Sequence, residues 1–97
     1  MATWGETDDY DATKGNQPRQ TRVEGNFVHE LGLYEKQSSA WGQAKACETI
    51  LVNNVFFNMP RAAVNFNDGL GGGNVVENNI IFNSCRESGD HGPINTW

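Results

Sequence analysis

Apolar and polar positions follow one short pattern that occurs three times along the chain: RVEGNFVHE over residues 22–30, ILVNNVFFN over 50–58 and VVENNIIFN over 75–83. Aligned on the second polar residue, the copies place Asn26, Asn54 and Asn79 in one column. Val23, Leu51 and Val76 precede it, and Phe27/Val55/Ile80 and then Val28/Phe56/Ile81 follow it, so every apolar position is matched. The asparagines are 28 and 25 residues apart, a period at which repetition means one structural unit per repeat in a solenoid. Each copy gathers β-branched and aromatic residues around a polar bend, and no segment sustains the i, i+3, i+4, i+7 apolar stripe of a helix.

A strand, a bend and a second strand per unit, stacked in parallel, bring equivalent residues of successive units to about 4.8 Å, the ordinary inter-strand distance. At that spacing Asn26, Asn54 and Asn79 can bond amide to amide, with bends that tolerate left-handed backbone angles. The fold expected is an all-β parallel β-helix of about three to four coils, a single unit over residues 1–97 with ladder segments near 21–32, 49–69 and 74–97. Further strands are expected over 40–45, 62–67 and 93–97. Val64-Asn65 aligns well with Ile94-Asn95, and Trp41-Gly42-Gln43 aligns more loosely. Thr96-Trp97 resembles Thr3-Trp4, and the chain is read as a piece of a longer solenoid whose uncapped ends leave strand edges open to pairing.

Twelve asparagines and eleven glycines suit a chain with many tight bends. The formal charge of −5 argues against nucleic acid as a partner, since no basic stripe is present to neutralise phosphates. No apolar run approaches the roughly 20 residues of a membrane-spanning helix. Residues 3–11 are polar and acidic, unlike a signal peptide. Cys47 and Cys85 fall in different columns and are read as buried free thiols. No Cys/His metal spacing occurs. Asp8, Asp9 and Asp11 would suit calcium, but the EF-hand pattern is missing, so no cofactor is expected. The Gly71 to Gly73 run reads as a turn, because neither a helix nor a Lys-Ser/Thr pair follows it. His29 aligns with Phe57 and Phe82 and is expected to be partly buried.

The turns that follow the ladder strands carry the dense chemistry: Tyr34-Glu35-Lys36-Gln37, Met59-Pro60-Arg61 and Cys85-Arg86-Glu87-Ser88-Gly89-Asp90-His91. Stacking of the units would place all three on one side of the solenoid, with neighbouring coils of a longer chain extending that face.

The runs NMPRAAVNFNDGLGGGN (58–74) and NIIFNSCRESGDHGPINTW (79–97) resemble the right-handed parallel β-helix proteins of the pectate-lyase-like superfamily. The closest likeness is to a subgroup carrying NFNDG and CRESGDHGP, and WGETDDYDA and LYEKQSSAW fit the same subgroup. The resemblance implies a right-handed helix, a polysaccharide or oligosaccharide partner, and a secreted or cell-surface location with any signal upstream. It also implies glycoside hydrolase-like chemistry, polysaccharide lyase chemistry, or glycan binding and a structural role without catalysis.

Related hydrolase-like solenoids carry an acidic residue followed by a Gly-Ala-Ile-like run, which Asp90-His91-Gly92-Pro93-Ile94 approximates, departing at His91 and Pro93. Hydrolysis would use two carboxyl groups, about 5 Å apart for retention or about 6.5–9.5 Å for inversion. Asp90 and Asp68 are the candidate pair, with Glu87 and Glu35 in reserve and His91 as proton shuttle or hydrogen-bond donor. A lyase would use Arg61, Arg86 and Lys36 to neutralise a uronate carboxylate. Arg61 and Arg86 would also position substrate, and Trp41 and Trp97 could offer ring faces to a sugar.

Overall fold

The computed structural model describes residues 1–9, 11–68 and 71–96. Trp97, and Gly69 and Leu70 of the glycine-rich loop, lie outside them. Among the described residues ten strands form: β1 (Ala2–Trp4), β2 (Arg22–Glu24), β3 (Phe27–His29), β4 (Trp41–Ala44), β5 (Ile50–Val52), β6 (Val55–Phe57), β7 (Val64–Asn67), β8 (Val75–Glu77), β9 (Ile80–Phe82) and β10 (Ile94–Thr96). They make three parallel sheets, ordered β1-β4-β7-β10, β2-β5-β8 and β3-β6-β9. The molecule is a short right-handed parallel β-helix of three coils, with β1 as one further strand. Among the described residues no helix is long and apolar enough to cross a membrane.

Each ladder segment is divided between two sheets, because the chain turns a corner at the polar pair. Gly25, Asn53 and Asn78 adopt φ of 68°, 57° and 54°, the left-handed region that glycine and asparagine tolerate best. The asparagine that follows then points inward. Asn26 donates its Nδ2–H to Asn54 Oδ1 at 3.0 Å, and Asn54 donates to Asn79 Oδ1 at 2.9 Å. The same Oδ1 atoms accept the backbone N–H of the preceding coil's asparagine, both at 2.9 Å. Asn54 also donates to the Val23 carbonyl, so this buried amide is well satisfied.

The register matches the sequence alignment: Val23 pairs with Leu51 and Leu51 with Val76, while Val28 pairs with Phe56 and Phe56 with Ile81. These columns face inward, where Leu51, Phe56, Met59, Trp41 and Val64 form the core. Alternation along each strand turns the flanking columns outward. His29 therefore stands on the surface rather than partly buried. It stacks on Phe57 with ring centroids 4.9 Å apart, and Phe57 stacks on Phe82 at 4.7 Å. Cys47 is buried and free, whereas Cys85 is free but only half-buried, at the corner where φ is 56°. In the sheet β1-β4-β7-β10 Gly42 pairs with Asn65 and Asn65 with Asn95, and Ala2 pairs with Gly42. Thr3 and Thr96 thus share a column at opposite edges.

Candidate functional site

The three connecting turns do lie on one side, and Pro60 is the reason they meet. The carbonyl of Pro60 accepts the N–H groups of Glu87 and Ser88, each at 3.0 Å, while the Met59 carbonyl takes that of Arg86. On the other side the first turn presses Gly32 against the Pro60 ring. A Cβ at Gly32 would lie 2.5 Å from Pro60 Cγ and 2.8 Å from the Glu35 carbonyl, and its φ of 66° favours glycine as well. The outer turns consequently reach over the short middle one, and Lys36 Nζ meets Glu87 Oε2 at 2.8 Å. Between them is a cleft of about 150 Å³ with a floor of Leu31, Met59 and Pro60 and a rim of Glu30, Lys36, Arg86 and Glu87.

Further along the same turns, before β7 and β10 begin, Arg61, His91 and Asp90 form a chain of polar contacts. The His91 side chain is only 1% exposed, and its Nδ1 lies 2.5 Å from Asp90 Oδ1. Its Nε2 lies 2.6 Å from Arg61 Nη2. A guanidinium can only donate, so Nε2 is the acceptor and Nδ1–H donates to the carboxylate, which assigns a neutral imidazole. Arg61 Nε approaches Nδ1 at a longer 3.4 Å, and the shorter contacts decide the tautomer. Asp90 also accepts from the Ser88 hydroxyl. The hydroxyl first, and then the imidazole, lower the Asp90 carboxyl from 3.8 to about 2, although the side chain is 71% exposed.

The other candidates fall elsewhere. Asp68 is exposed just beyond β7, with φ of 40°. It lies at the opposite end of that strand from Arg61 and its partner His91, and four residues of strand span about 13 Å. Asp68 and Asp90 are therefore not brought together. Glu35 is exposed and accepts the Gln37 N–H at 3.3 Å, closing its own turn. Trp41 is corrected as a sugar platform: it pairs with Val64 in the inward column, is 2% exposed, and donates its indole N–H to Gln43.

In the acidic loop, Asp9 is held below the usual carboxylate range by Asn16 and Lys14, and Asp11 by Thr13. Gln17 donates to the carbonyls of Asp9 and Asp11. No group of three or more His, Cys, Asp or Glu side chains converges among the described residues.

Sequence reasoning missed Ser88, although its Ser-x-Asp spacing is a local hydrogen-bonding signal. It also missed Pro60 as the floor over which the turns close. Comparison with known proteins finds no family, curated protein or solved structure that matches the chain.

Proposed function

We propose that this chain is part of a carbohydrate-active β-helix protein, secreted or displayed at a cell surface, that binds an extended polysaccharide across its connecting-turn face. The observation that carries this reading is the cleft over Pro60, whose apolar floor and rim of alternating charge suit a ring with one apolar face and polar edges. Coils repeating at about 4.8 Å offer equivalent contacts at a step comparable to one sugar residue of an extended chain. The resemblance carried by residues 58–74 and 79–97 points the same way.

Binding is favoured over cleavage because most of the groups that chemistry would need are already engaged. Hydrolysis needs one protonated and one ionised carboxyl group; Asp90, held ionised by Ser88 and His91, suits only the second role, so the acid would have to be Glu87 or Asp68. Glu87 is paired with Lys36, and Asp68 stands at the other end of β7. For a lyase, Arg61 is committed to His91 and Lys36 to Glu87, and His91 as a base already accepts from Arg61.

Affinity electrophoresis against neutral and uronate-containing polysaccharides tests the proposal, with reducing ends and unsaturated products followed in parallel. Retardation without product is the expected result, and Arg86→Ala should weaken it. Product in either channel would replace binding by catalysis, and neither retardation nor product would end the carbohydrate reading.

A further inference from the structure

Every outward position on sheet β3-β6-β9 but one is apolar. Alternation along the strands turns out two columns, Phe27/Val55/Ile80 and His29/Phe57/Phe82, and His29 is the single polar member. The neighbouring sheet differs, since its outward columns mix Arg22, Glu24 and Glu77 with Ile50, Val52 and Val75. Phe27 is 65% exposed, Ile80 60% and Phe82 48%, while Val55 and Phe57 are half-buried between their neighbours in the columns. A sheet with one solvated face ordinarily sets polar residues on it. Here the inner face packs on the core and the outer patch, roughly 400 Å² in extent, has the size of a contact surface.

The patch is shaped for its own likeness. Coils repeat at about 4.8 Å, so the two columns form ridges on a lattice that a second stack of the same coils reproduces. The rings are already ordered along it. His29 lies flat on Phe57 with centroids 4.9 Å apart and Phe57 on Phe82 at 4.7 Å, with Phe27 edge-on to Phe57 at 5.2 Å. Side chains ordered beforehand lose little freedom when they are covered.

We infer that this face is an isologous interface on which a second copy of the chain packs, with the twofold axis parallel to the solenoid. About that axis Val55 meets Phe57 of the second copy, Ile80 meets Phe82, and Phe27 meets His29. Each contact sets a ring against a branched side chain or another ring. Turning the second copy about the strand direction instead would bring Glu24 against Glu77, carboxylate to carboxylate. About the solenoid axis Glu77 meets the flank of Asn83, an amide. Glu24 and Glu30 then approach one another already paired, with Arg22 at 2.7 Å and His29 at 3.0 Å. Two such patches total roughly 800 Å², below the roughly 1,200 Å² of a stable complex, so the dimer is weak and reversible. The interface is separate from the turn face and does not depend on the carbohydrate proposal.

Sedimentation velocity of the full chain across a dilution series is the test. A monomer–dimer equilibrium that stops at two copies is expected, because a twofold face closes on itself. Phe27→Lys and Ile80→Lys alter side chains that stand largely in water, so the fold persists. Each should weaken the dimer at least about tenfold by placing a charge in the contact. His29→Phe completes the apolar column and should tighten it severalfold, a gain that general stickiness would not tie to this one position. A chain that is monomeric at every concentration would overturn the inference. Association that grows past two copies and is unaffected by both lysine variants would also overturn it and place the contact at open strand edges. A monomer that co-sediments with phosphatidylcholine vesicles, and ceases to in Ile80→Lys, would assign the face to a lipid surface and overturn it equally. No readout involves a polysaccharide, so failure here leaves the turn-face reading standing.

Discussion

The connecting-turn face and the cleft beside Gly42, on the outer face of sheet β1-β4-β7-β10, are built from opposite materials. The turn face holds Lys36, Arg61, Arg86, Glu87, Asp90 and His91, yet most of these groups answer one another across coils. The cleft holds glycine, alanine, amides and an exposed indole, with Arg61 of the turn face at one end, and two of its polar atoms answer nothing. Density of charge along a sequence is thus a poor guide to available chemistry in a solenoid, because stacking supplies each charge with a partner.

The sharpest way to break this comparison is to remove the centre of the turn-face network. His91→Ala leaves Arg61 and Asp90 without their shared buried partner and opens a space at a 1% exposed side chain; a loss of about 3 kcal/mol is expected in urea unfolding. Gly42→Leu, by contrast, should change stability by less than about 0.5 kcal/mol. Equal effects would mean that the two faces are not distinguished as described.

Gly32→Ala comes next. Its Cβ would enter the Pro60 ring at 2.5 Å in a backbone conformation with φ of 66°, and a cost of about 2 kcal/mol follows from the clash and the left-handed geometry together. Because the first turn forms one wall of the cleft, polysaccharide retardation should fall as well. An unchanged midpoint would show that the turns do not close over Pro60.

A smaller effect is expected from acid. The Asp90 carboxyl is lowered in the folded chain from 3.8 to about 2, so its contribution is fully present above the unfolded value and is lost as pH falls from about 4 towards 2. Asp90→Asn should remove that component of the pH dependence of unfolding. Smallest of all is the Lys36–Glu87 pair, whose side chains are 51% and 50% exposed. A double-mutant cycle should give no more than about 0.5 kcal/mol, and a much larger coupling would make the outer turns a stronger clamp than their exposure suggests.

The amide ladder was legible because its period lies on the sequence itself. Asn26, Asn54 and Asn79, and the apolar columns beside them, stack as their alignment requires. The weaker alignment of Trp41-Gly42-Gln43 with Val64-Asn65 also corresponds to the observed register. Direction was harder. Trp41 shares Val64's inward column while Trp4 faces out beside Ala44 and Asn67, and short strands reveal that parity only once the register is known. His29 was misplaced for the same reason. The separation of Asp68 from Asp90 follows from which end of β7 each adjoins, which no local motif records. The burial of His91 depends on Arg61, 30 residues earlier, and on the stacking that brings them together.

Wild type and Asp90→Asn, each incubated with the polysaccharide panel while unfolding midpoint, retardation and both product channels are recorded, test the central claim most directly. If the turn-face charges serve structure and binding, neither protein releases product, both are retarded, and the variant is the less stable of the two above pH 4. Reducing ends or unsaturated products released by wild type and lost in Asp90→Asn would contradict that claim and make Asp90 a catalytic group.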